Sequence, residues 1–135
     1  MSFLSMFGLL SASDYKEGQL WSYKTRSGEE QSTVLINKIE THKKLGKIYH
    51  ISALKVKVRN RHVDGGITTE LPHIPVSEET LKKSLTKLIG NQGPNPNYIE
   101  GYYTWKAEFD AGKAGIFSIS VAEIVSFIEE AINKQ

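Results

Sequence analysis

The sequence predicts an α+β domain: a bent antiparallel sheet or half-barrel of four to five strands, followed by three helices packed on one face or end. Three observations carry this. Residues 18–72 hold runs of β-branched and aromatic residues broken by Gly-containing turns. Residues 77–135 hold apolar residues at helical spacing between cap and stop signals. The length of 135 residues suits a single domain with its own core, and no repeat, low-complexity tract or linker divides it.

Residues 1–13 are mostly apolar, with Phe3, Leu4, Phe7 and Leu10. No Lys or Arg precedes Lys16, which argues against a secretory signal, and the run is too short to span a bilayer. A short helix or arm packed on the domain is expected there, with a dimer or partner contact as the alternative.

The strands come next. In the run from Gln19 to Thr25, Trp21 and Tyr23 share one face and Leu20 and Ser22 the other. A turn at Ser27-Gly28 leads to a run from Ser32 to Glu40, rich enough in Val, Leu and Ile to be buried on both faces. The polar segment from His42 to Gly46 suits a hairpin loop. The longest strand runs from Lys47 to Arg59. Leu54, Val56 and Val58 alternate there with Lys55, Lys57 and Arg59, and a change of phase near Ser52-Ala53 predicts a bulge or bend. Asp64-Gly65-Gly66 turns the chain into a short fourth strand, Ile67 to Leu71, stopped by Pro72 and Pro75.

The helices follow. Ser77 caps a helix that carries Glu78 and Glu79 in its first turn and Leu81, Leu85, Leu88 and Ile89 on one face, with Gly90 as its stop. After a loop containing Pro94 and Pro96, Tyr98, Tyr102, Trp105 and Phe109 form a stripe on a second helix, which Gly101 weakens and Gly112 ends. The segment from Ala114 to Ile119 offers a further short strand. Ser120 and Glu123 make a capping box ahead of the strongest amphipathic helix, with Val121, Ile124, Val125, Ile128, Ala131 and Ile132 on its apolar stripe.

Familiar chemistry is missing. The chain has no cysteine, which excludes disulfides and thiolate metal sites, fits a reducing compartment and leads us to expect a cytoplasmic protein. Phosphate-binding glycine loops, nucleophile elbows and paired metal-binding histidines are absent, so no cofactor and no metal are expected. His62 with Asp64 is the nearest approach to a base and its orienter, and solvated loop residues explain the pair more simply. Of the adjacent carboxylates, Glu78 and Glu79 suit a helix start, and Glu129 and Glu130 fall on the solvated side of the last helix.

Charge is placed unevenly. Between Thr41 and Val63 there are Lys43, Lys44, Lys47, Lys55, Lys57, Arg59 and Arg61 and no Asp or Glu, whereas the stretch from Tyr98 onward is acidic. A net charge of +2 therefore conceals a dipolar molecule. The basic ridge Lys55, Lys57, Arg59 and Arg61 suits an acidic protein or phosphates; it also suits an edge strand guarded against aggregation. Tyr102 and Tyr103 are neighbours on one helix and point about 100° apart, so one of them is expected at the surface. With Lys106 they form a second candidate partner-binding surface.

Two resemblances bear on function. The run Gly18-Gln19-Leu20-Trp21, with Gly28-Glu29 and then Thr33-Val34-Leu35-Ile36, resembles the opening of the plasmid-toxin RNase barrels. That family carries Arg-Pro before its second strand, where this chain has Ser32-Thr33, so RNase activity is not expected. The chain as a whole resembles small bacterial immunity proteins, which are intracellular, non-enzymatic α+β domains that neutralise a delivered toxin. The expected function is accordingly a non-enzymatic protein-binding module, of immunity or inhibitor type. The alternative is a nucleic-acid-binding half-barrel using the Lys55, Lys57 and Arg59 face with Tyr49 or Tyr23 as a stacking platform. A third reading is an enzyme with an unfamiliar site around His50, His62 and Asp64. No membrane partner is expected, and the patterning specifies no oligomeric state.

Overall fold

A computed structural model describes residues 15–135; the arm expected over residues 1–13 lies outside them. Five antiparallel strands form one open sheet in the order β4-β3-β2-β1-β5. They are β1 (Gln19–Tyr23), β2 (Thr33–His42), β3 (Gly46–Arg59), β4 (Ile67–Ser77) and β5 (Leu85–Asn91). Among the described residues three helices accompany the sheet: α1 (Glu78–Ser84), α2 (Tyr98–Asp110) and α3 (Val121–Asn133). The expected class holds. The expected packing of all three helices on one face or end does not hold: α1 and α3 cover one face of the sheet and α2 the other, because alternate residues of β3 serve two separate clusters. Tyr49, Ile51 and Ala53 pack with Leu81, Val121, Ile124 and Val125, while Ile48 packs with Tyr102 and Trp105.

The bulge expected in β3 is present slightly later than the sequence phase suggests. Lys55 has φ of 57°, the left-handed region that side chains rarely adopt. The register with β4 shifts before it, between Ile51 and Ala53 where the sequence phase changes, and again across it, between Leu54 and Val58. The effect is a change of parity: the core-facing residues are odd up to Ala53 and then become Val56 and Val58, leaving Lys55, Lys57 and Arg59 exposed.

Three expectations about single elements need correcting. Leu85, Leu88 and Ile89 do not continue the first helix. The chain turns extended at Leu85 and pairs with β1, Leu85 opposite Tyr23 and Leu88 opposite Trp21. An apolar run at spacings of three and four satisfies helix and strand alike, and the free edge of β1 decides between them. Nor do Pro72 and Pro75 stop the fourth strand, which runs to Ser77. β4 is an edge strand, where a missing N–H is tolerated, and both proline carbonyls are used: Pro72 by the Ser52 hydroxyl and Pro75 by the Phe117 N–H. The short strand expected over Ala114 to Ile119 reduces to one parallel bridge between Phe117 and Val76.

Helix α3 begins with the predicted capping box: Ser120 Oγ accepts from the Glu123 N–H, and the Glu123 carboxylate accepts from the Ser120 N–H. Val121, Ile124 and Val125 are fully buried, Ile128 and Ile132 pack at the margin, and Ala131 is exposed. No helix among the described residues is long and apolar enough to cross a membrane. Because burial is graded along the stripe, Ile124→Ala should cost about 2–5 kcal/mol and Ile128→Ala clearly less. Urea unfolding of the two variants checks this; equal midpoints would show that α3 is not docked through its first two turns.

Candidate functional site

β3 extends beyond its neighbour. Its pairing with β2 ends at Leu54 opposite Thr33, and the N–H groups of later residues on that side need other acceptors. Carboxylates and an amide provide them. Glu29, 2% exposed, accepts from the Lys57 N–H at 2.6 Å. Glu129 accepts from the Arg59 N–H at 2.7 Å, and Asn133 Oδ1 from the Arg61 N–H at 3.1 Å. The Asn133 amide donates back to the Arg59 carbonyl at 2.8 Å. Arg26 sits between the two acids, with Nε and Nη2 on Glu29 at 2.8 and 2.9 Å and Nη1 on Glu129 at 3.0 Å. Burial opposes the charge on both acids. Arg26 and the strand N–H groups outweigh it and hold both carboxyls below the usual range. Glu129 is thus not the solvated helix residue expected from its spacing, and the helix contributes a substitute strand edge made of side chains.

This arrangement presents the basic ridge. Lys55, Lys57, Arg59 and Arg61 are exposed, and no ion pair among the described residues uses any of them. The nearby carboxylates hold the ridge's backbone and Arg26, so the four side-chain charges remain available to a partner. His62, at the end of the ridge, lies 3.2 Å by Nε2 from the Ile132 carbonyl.

The second candidate surface lies elsewhere. Helix α2 packs on Ile48 and His50 near the start of β3, while the ridge occupies the end of that strand, so the structure does not join Tyr102, Tyr103 and Lys106 to the ridge. Tyr102 is 8% exposed and Tyr103 66%, the division that their angular separation predicts. Ile99, one turn earlier on the exposed side, is 46% exposed. Lys106 is paired with Asp110 at 2.6 Å and is only partly exposed.

A hydrogen-bonded chain that sequence reasoning missed holds α2 to the sheet. His50, fully buried, places Nε2 2.6 Å from Glu40 Oε1 and Nδ1 2.9 Å from His73 Nε2. Tyr102 donates to the other Glu40 oxygen at 3.2 Å. The two imidazoles are tilted by 16° with centroids 5.1 Å apart, as an in-plane hydrogen bond requires; face stacking would bring them nearer. The tautomers follow from the partners. His50 donates from Nε2 to the carboxylate, so its Nδ1 accepts, and His73 must donate from Nε2. Trp105 packs its ring against His50 at 4.9 Å, and Lys38 stands 5.6 Å over the Tyr102 ring. Gly101 lets α2 approach, since a Cβ there would lie 2.9 Å from the Cβ of His73. A glycine that weakens the helix is the one sequence signal of this contact.

The third reading loses its constellation in this arrangement. The ring partners of His50 are Glu40 and His73, that of His62 is a helix carbonyl, and Asp64 lines a separate trough beside β4. His73, expected at a surface or edge position, belongs to the edge strand but turns its ring under α2. Among the described residues no group of three or more histidines and carboxylates is placed to hold a metal ion.

Burial, and for His73 also the neighbouring His50, makes protonation of the pair unfavourable. His50 is pushed down despite Glu40, and His73 is pushed down to about 4. An unfolded histidine takes its proton near pH 6.5, so between about 6.5 and 4 the unfolded chain binds more protons than the folded one. Stability is therefore complete above pH 6.5 and falls with pH through that window. The melting temperature should drop between pH 6.5 and 4.5, and His73→Gln, which keeps a donor at the same place without titrating, should show a shallower drop. A melting temperature that is flat across this range in the parent would refute the assignment.

Compared with protein-family models, curated proteins and solved structures, the chain matches none.

Proposed function

We propose that this is a non-enzymatic protein-binding module whose ridge of Lys55, Lys57, Arg59 and Arg61 docks an acidic surface of a partner protein. The observation that supports it most is the ridge itself: four exposed cations, free of ion pairs within the described residues, on a strand end whose backbone is fixed by Glu29, Glu129 and Asn133. A preorganised row of like charge steers encounter and suppresses wrong partners. The exposed pair Ile99 and Tyr103 on α2 supplies a separate apolar anchor for a partner large enough to reach it. An immunity or inhibitor protein in a bacterial cytoplasm is the specific form of this reading, with the target toxin contributing the acidic surface.

The nucleic-acid alternative keeps the ridge but loses its stacking platform. Tyr49 and Tyr23 are 0% and 6% exposed and pack in the core on the face of α1 and α3. Base stacking on either ring would require opening that core. The protein partner is the better reading for this reason.

Association kinetics with the native partner test it. Charge reversal of Lys57 and Arg59 together should lower the on-rate at low salt by about tenfold and leave the off-rate nearly unchanged. Tyr103→Ala should act on the off-rate if that residue is an anchor. Unchanged kinetics in the charge-reversed variant would remove the ridge from the interface. Salt-sensitive binding of a mixed single-stranded oligonucleotide, abolished by the same variant, would establish the alternative.

A further inference from the structure

β4 is one edge of the sheet, and the chain already uses part of its outer side. At Pro75 to Ser77 the Phe117 segment lies alongside it, with the Phe117 N–H donating to the Pro75 carbonyl at 3.0 Å and the Ser77 N–H to the Phe117 carbonyl at 2.8 Å. This added segment stops there. From Ile67 to Leu71 the strand pairs only with β3 among the described residues. Alongside this bare stretch runs an open trough of about 710 Å³, walled on its far side by Pro96, Asn97 and Glu100 at the start of α2. A stretch of five to six residues is a strand's usual length.

The lining has a definite chemistry. It carries Asp64, Glu70 and Glu100 and no Lys or Arg. None of the three carboxylates is in an ion pair among the described residues. Glu70 receives the Asn95 and Asn97 amides on Oε2, at 2.7 and 3.1 Å, which fixes it at the wall. Val63 and Ile67, 41% and 46% exposed, give the same trough an apolar floor. Arg59 lies opposite Ile67 on β3 but does not line the trough.

We propose that the trough takes an extended peptide segment carrying alternate Lys or Arg and apolar residues, added as a further strand on the free edge of β4. The strand edge supplies main-chain hydrogen bonds, and the carboxylates and the pair Val63 and Ile67 select alternate side chains. This surface shares no lining residue with the basic ridge, which it adjoins where Arg59 pairs with Ile67, and it selects the opposite charge, so different variants test the two.

Three capped hexapeptides test it: one alternating Lys and Val, one alternating Glu and Val, and the Lys–Val peptide with its backbone N-methylated at alternate residues. Amide chemical shifts of the full chain should move at residues 67–71 and 97–100 with the Lys–Val peptide alone. The double variant Asp64→Asn, Glu100→Gln should weaken that binding by about three- to tenfold, as two rim charge pairs would. Equal binding of the N-methylated peptide would reduce the effect to charge attraction and overturn strand addition. Shifts confined to other residues, or no binding of the Lys–Val peptide at millimolar concentration, would overturn the site altogether.

Discussion

The fold turns on a mismatch in length. β3 has 14 residues and β2 has 10, so the last part of β3 cannot satisfy its backbone through the sheet on that side. A bare strand edge of this kind invites aggregation unless it is covered. Here Glu29 from the loop after β1 and Glu129 and Asn133 from α3 take the places of strand carbonyls and amides. The same contacts dock the C-terminal half of α3, bury Glu29 beside Arg26 and fix the backbone that carries Lys57 and Arg59. The ridge is therefore both protected edge and presented surface: edge protection consumes the backbone, and the side chains remain for a partner.

The two faces of the sheet are closed by different chemistry. The face of α1 and α3 is largely hydrocarbon, with Val34, Ile36, Ile51 and Val125 among its fully buried residues. The face of α2 is aromatic and polar. Trp105 donates to the Gly115 carbonyl and stacks on Phe109, and the His73, His50, Glu40 and Tyr102 chain runs from β4 to α2. A hydrocarbon contact is indifferent to pH, whereas two imidazoles that share one proton are not. Protonating both removes the acceptor their bond needs and places like charges within hydrogen-bond distance. Acid therefore acts first on the α2 face, and the carboxylate clamp at the end of β3 weakens only at lower pH, since Glu29 and Glu129 hold their charge below the usual carboxylate range.

Much of the fold was legible because it is local. Alternation named β1 and the second half of β3, β-branched composition named β2 and the start of β4, glycines marked the turns, and the Ser120–Glu123 box and the Tyr98 to Phe109 stripe located two helices. β5 was not legible, since Leu85, Leu88 and Ile89 fit either period and only the vacant edge of β1 selects the strand. The ridge could be read from strand alternation, but not its support, because Glu29 and Glu129 lie 28 and 70 residues from the N–H groups they accept. The histidine chain was hidden for the same reason: its four residues come from β2, β3, β4 and α2, and neither histidine has a partner close by in sequence. Gly101 in mid-helix was its one local trace.

The central claim is that side chains stand in for a missing strand along the end of β3. Amide hydrogen exchange tests it most directly, because it reads the N–H groups concerned one by one. If Glu29 and Glu129 accept these hydrogen bonds in solution, Lys57 and Arg59 will exchange as slowly as the doubly paired residues Tyr49 and Ile51 of the same strand. Glu29→Ala will release Lys57 while leaving Tyr49 protected. Exchange of Lys57 and Arg59 at the rate of an open loop in the parent protein would contradict the account.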